Sequence, residues 1–131
     1  MMKRIDIEKT DDGRFDHYFE GDGYGSEKVL KEWMGLLADS GDWTVKSCCV
    51  KEMDDMDAPV DKYHDYDSLD ALKTALESEI PELDMDWFYI SGDIDGTDVA
   101  VTASVEDPKS ISVLGPEDFD STGFLKNVGI N

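Results

Sequence analysis

The sequence predicts an α+β fold: a mostly antiparallel sheet, element order ββαβαβββ, with two amphipathic helices packed on one face. Three observations predict it. Two segments carry apolar side chains at helical spacing, Val29, Leu30, Trp33, Met34 and Leu37 in the first and Leu69, Leu72, Leu76 and Ile80 in the second. Two turns closed by glycine, Asp11-Asp12-Gly13 and Asp95-Gly96, each separate segments in which apolar and polar residues alternate. The chain has 131 residues with 40% hydrophobic side chains, enough to bury a core and too many for a disordered acidic polypeptide. A single domain over residues 1–131 is expected.

The first hairpin joins Lys3 to Lys9 with Arg14 to Glu20. A two-residue turn at Asp12-Gly13 would put Phe15 and Phe19 on the face opposite Ile5 and Ile7. A three-residue loop with Gly13 left-handed pairs Ile5 with Phe19, Ile7 with His17 and Lys9 with Phe15, and gathers the apolar side chains together. This second register is the expected one, with Arg4, Asp6, Glu8, Asp16 and Tyr18 toward water and His17 on the core side. Ser26 then stands where a helix cap belongs, and Ser40-Gly41 ends the helix after Asp39.

A strand from Trp43 to Lys51 should place Trp43, Val45 and Cys49 on one face and Thr44, Lys46 and Cys48 on the other. Cys48 and Cys49 are too strained as neighbours to bridge each other and are expected to be reduced. From Glu52 to Asp67 acids stand at 52, 54, 55, 57, 61, 65 and 67, with a proline at 59 and little periodicity, so a long exposed loop is expected. Asp67 or Ser68 caps the second helix and Pro81 closes it. Around Asp95-Gly96 a type I′ turn matches Ile90 with Val101, Phe88 with Ala103 and Ile94 with Thr97. Phe88, Ile90, Val99 and Val101 then share the buried face, and Trp87, Tyr89, Asp93, Asp98 and Thr102 the other. A last strand from Ser110 to Leu114 precedes a tail, 115–131, whose Phe119, Phe124, Leu125, Val128 and Ile130 are expected to dock on the body.

Charge dominates the functional reading. Thirty-two acids against twelve Lys and Arg give a formal charge of −20, spread from Asp6 to Asp120. Such a surplus repels nucleic acid and anionic membranes, which bind through cations, so the expected macromolecular partner is a basic protein such as a nuclease or a DNA-binding protein. No apolar signal segment opens the chain and no run of eighteen apolar residues occurs, so a soluble, cytoplasmic protein is expected.

Motifs for chemistry are weak. Asp93-Ile94-Asp95-Gly96-Thr97-Asp98 has the carboxylates of a calcium loop, but the glycine and the bidentate Glu that such a loop needs are out of position. Gly21-Asp22-Gly23-Tyr24-Gly25-Ser26 is glycine-rich ahead of a helix yet lacks a lysine and carries Asp22 against any phosphate. His17 and His64 lie on different elements; His17 reads as a hydrogen-bonded residue of the sheet, and His64 as an exposed group open to tuning by Asp65 and Asp67. The chain is therefore expected not to be an enzyme and to use neither metal nor cofactor.

Recognition is expected in the acidic segment, where Tyr and Met sit among carboxylates: an aromatic anchor supplies the desolvated centre and the acids steer a cationic partner. The residues assigned to partner binding are Asp54, Asp55, Asp57, Asp61, Tyr63, Asp65, Tyr66 and Asp67. The leading function is a non-catalytic module that blocks a basic partner, such as a bacterial immunity protein or other inhibitor of a nuclease toxin. Two alternatives stand beside it: a nucleic-acid mimic acting on a DNA-binding protein, which needs acids in ordered rows, and a small acidic structural domain, which 22 Asp against 10 Glu would suit in a saline habitat.

Overall fold

The computed structural model describes residues 3–20, 26–53, 62–105 and 111–130. Strands β1 (Lys3–Lys9), β2 (Phe15–Glu20), β3 (Thr44–Glu52), β4 (Tyr63–Tyr66), β5 (Met85–Ile94), β6 (Thr97–Ser104) and β7 (Ile111–Gly115) form one sheet in the order β1-β2-β7-β6-β5-β3-β4. Every neighbouring pair is antiparallel. Among the described residues three helices accompany the sheet: α1 (Glu27–Asp39), α2 (Leu69–Ser78) and α3 (Ser121–Asn127), with a short 3-10 turn at Ile80–Glu82 that takes in Pro81. The α+β class and the run of elements match the sequence reading, with one strand, β4, and one helix, α3, added.

Partners in an antiparallel ladder point to the same side. One row therefore crosses all seven strands, Ile7, His17, Val113, Val101, Ile90, Cys48 and Tyr66, and every member except Ile7 is buried. The helices rest on this side. Leu30, Trp33, Met34 and Leu37 of α1 and Leu72 and Ala75 of α2 fill the space above Val50, Phe88 and Ile90. Each large apolar side chain so enclosed contributes roughly 1.5–3 kcal/mol. The Trp43 indole N–H donates to the Leu37 carbonyl at 2.7 Å, and its ring meets Phe124 edge-on with centroids 5.3 Å apart.

Caps explain where the helices begin. Ser68 Oγ accepts from the Ala71 amide at 3.1 Å, and Asp120 Oδ1 from the Gly123 amide at 3.0 Å. Ser26 occupies the capping position of α1, but its side chain makes no capping hydrogen bond. The tail docks as expected: Phe124, Leu125, Val128 and Ile130 are all buried. His17 fastens it from below. The Pro116 carbonyl can only accept, so Nε2, 3.0 Å away, donates to it, and Nδ1 lies 3.1 Å from the Ser121 hydroxyl. Both side chains are fully buried, and the pair ties β2 to the first residue of α3.

Three expectations need correction. β1 pairs Ile7 with His17 and Lys9 with Phe15 as read, but a bulge between Arg4 and Asp6 sets Arg4, not Ile5, opposite Phe19. All seven β1 residues are exposed, Ile5 at 48% and Ile7 at 37%, because the helical layer does not cover them. In β3 a register shift between Val45 and Ser47 reverses the alternation, so Cys48 rather than Cys49 joins Val45 on the helix side. The stretch from Glu52 to Asp67 is not all loop: Glu52 ends β3, its amide donates to the Lys62 carbonyl at 2.9 Å, and Tyr63–Tyr66 pairs along β3. The 93–98 segment is a hairpin turn, with Asp95 and Gly96 both at positive φ and Asp93 ion-paired to Lys46. No helix among the described residues is long and apolar enough to cross a membrane.

Candidate protein-docking site

Strand β4 is four residues long and alternates strictly. Tyr63 pairs with Lys51, which pairs with Trp87, placing all three on the side of the sheet away from the helices. Asp65 pairs with Cys49, which pairs with Tyr89, which pairs with Thr102, on that same side. His64, opposite Val50, and Tyr66, opposite Cys48, turn toward α2.

The open side of the sheet carries an aromatic corner. Tyr63 is 51% exposed and leans on Trp87 with ring centroids 6.0 Å apart and planes at 58°. Beside them a shallow groove of about 400 Å³ is lined by Cys49, Trp87, Tyr89, Thr102 and Ser104. Burial, then the Asp65 carboxylate beside it, pushes the Cys49 thiol up to about 11, so it stays protonated at neutral pH and is a poor nucleophile or metal ligand there. Lys51 lies between the two rings in the ladder and sends its ammonium to Asp86 Oδ2 at 3.2 Å. Both Cys48 and Cys49 are free thiols. Among the described residues no group of three His, Cys, Asp or Glu side chains is arranged to hold a metal ion.

The helix side of β4 carries a different cluster. His64 Nε2 lies 2.9 Å from Glu52 Oε2, and its Nδ1 lies 2.8 Å from Glu79 Oε1 at the C-terminus of α2. A neutral imidazole offers one donor, whereas two carboxylates ask for two, so this geometry suits the imidazolium. The hydrogen bond to Glu52 is the largest cause raising the His64 pKa above 6.5; desolvation works against it, and the charges of Glu52 and Glu79 add to it. Tyr66, from the same strand, has its hydroxyl pushed above 10 by burial first and by Glu79 second.

The sign of the pH effect follows. A folded-state pKa above the unfolded value means that protonation favours the fold, so the His64 contribution is complete below pH 6.5 and fades as pH rises through the raised value. NMR titration of the His64 ring should give a midpoint above 6.5, and Glu52→Gln should lower it; a midpoint at or below 6.5 would dismiss the bridge.

Of the residues assigned from sequence, Tyr63 and Asp65 meet on the open side, and Asp67 is exposed just ahead of the Ser68 cap. Tyr66 is corrected: at 8% exposure it belongs to the core, because the period of two that exposes Tyr63 and Asp65 turns it inward. Asp54, Asp55, Asp57 and Asp61, like the glycine-rich segment 21–25, lie outside the described residues. Sequence reasoning missed Glu52 and Glu79 as the partners of His64, assigning Asp65 and Asp67 instead. It also left Trp87 and Tyr89 out of the site, although the hairpin register had already put them on the open face.

These features define a class: an α+β protein with a seven-stranded antiparallel sheet, helices on one face, and an aromatic corner with the Asp65 carboxylate on the other. No family model, curated protein or solved structure matches the chain.

Proposed function

We propose that the chain is a non-catalytic acidic protein-binding module that blocks a basic partner in the cytoplasm, as an immunity protein or inhibitor of a nuclease toxin does. The observation that supports this reading most is the half-exposed Tyr63 leaning on Trp87 at the edge of the open face, with Asp65 on the same side two residues along β4. A large aromatic side chain kept at the surface and braced from behind is the kind of anchor that dominates an interface, while carboxylates around it set encounter rate and partner choice. The formal charge of −20 supplies the long-range attraction for a cationic surface. Occlusion is the mechanism: carboxylates occupy the Lys and Arg that would otherwise hold nucleic acid.

Titration against basic proteins encoded next to this chain, by surface-immobilised kinetics at increasing NaCl, tests the reading. Association should slow by about tenfold or more as salt screens the field. Binding that is absent, or indifferent to salt, would remove it.

A further inference from the structure

The groove beside Tyr63 has a chemistry of its own. Trp87 and Tyr89 present half-buried rings two residues apart on one strand, and Thr102, Ser104 and Cys49 give its floor and ends small side chains. Its volume of about 400 Å³ falls within the usual range of side-chain and small-ligand pockets. Among the described residues no charged group lines it at neutral pH, where the Cys49 thiol stays protonated. Negative charge stands at its border, where Asp65 pairs with Cys49. Of the described cations near it, Lys51 is matched by Asp86, and Arg14, close enough to Tyr89 to feel its charge, is paired with Asp12.

Resting on the docking reading above, we propose that this groove receives an arginine side chain of the basic partner, its guanidinium laid on Trp87 and Tyr89 and bonded to the Asp65 carboxylate. Arginine fits better than lysine. A guanidinium is flat, more weakly hydrated and able to stack while its edge donates to a carboxylate, whereas an ammonium holds its water and offers no face. A second copy of the chain is a poor occupant, since each carries −20 and the repulsion between copies works against contact.

The three tryptophans allow a direct test. Trp33 and Trp43 are buried at 7% and 5%, so the Trp87 indole N–H is the reporter in a nitrogen-labelled sample of the whole chain. Tetra-arginine should shift that resonance, tetra-lysine at matched ionic strength should bind about fivefold more weakly, and Asp65→Asn should weaken the arginine peptide by about fivefold or more. Asp65 is exposed, so this variant keeps the fold, and Trp87→Leu serves as a second probe, read by peptide calorimetry. Equal response to the two peptides, unchanged affinity in Asp65→Asn, or a Trp87 shift that follows protein concentration without peptide would overturn the assignment. A basic partner whose binding needs Tyr63 but is indifferent to Asp65→Asn and Trp87→Leu would likewise overturn it while leaving the docking reading intact. Absence of any basic partner would instead strike the docking reading.

Discussion

Gly92→Ala is expected to lower the stability of the fold by about 3 kcal/mol, at the upper end of the usual cost of overpacking. An added Cβ would lie 2.0 Å from the Thr44 carbonyl oxygen, 2.8 Å from its carbon and 3.0 Å from the Val45 Cα. All three are backbone atoms, so no side chain can swing aside to make room. Gly92 stands opposite Val45, where the β3 register shifts, and the shift is what brings Cys48 and Val50 in line with Val45 on the helix side. Relieving the clash means moving β3 against β5, and with β3 the edge strand β4 that pairs along it. Chemical denaturation measures the loss, with Gly115→Ala as a control whose Cβ would have the Phe119 side chain as its nearest neighbour, at 3.5 Å. Equal stability of the two variants would place the close approach elsewhere.

The largest effect on binding is expected at Tyr63. Tyr63→Ala should weaken a basic partner by about 2–4 kcal/mol, or roughly 30- to 1,000-fold, mostly through faster dissociation. Tyr63 is 51% exposed, so the same change should shift folding stability by only about 0.5–1 kcal/mol. Asp67→Asn, at the rim, should alter association by a few-fold and leave dissociation nearly as it was. Stopped-flow or surface kinetics on the two variants separates anchor from rim. Dissociation unaffected by Tyr63→Ala would remove the anchor and with it the docking mechanism.

Much of this architecture could be read from local pattern. Asp95-Gly96 demanded a two-residue turn, and the structure has the expected pairs Ile90 with Val101, Phe88 with Ala103 and Ile94 with Thr97. Gly13, at φ +86°, closes the three-residue loop for the same kind of reason. What escaped was non-local. The β3 bulge depends on Gly92, nearly fifty residues further on, and nothing within Trp43 to Lys51 announces it. Strand β4 is only four residues long, Tyr-His-Asp-Tyr, and its alternation was hidden among acids that disfavour strands. Once that strand is recognised the site reorganises. Tyr63 joins Trp87 and Tyr89, Tyr66 leaves for the core, and His64 finds carboxylates from β3 and α2 that sequence distance had kept apart.

Strand β1 has a consequence at the opposite margin of the sheet. Its seven residues bury little, its isoleucines touch water, and the Ile7 amide is already satisfied by the Asp6 carboxylate at 2.8 Å. Peeling it away costs less than opening any central strand, so amide exchange should begin there. Such fraying turns β2 into the new border, with the His17 pin that holds the C-terminal helix directly behind it. The molecule thus has a weak hem on the margin farthest from Tyr63, and it can breathe on that flank without loosening the aromatic corner proposed for docking.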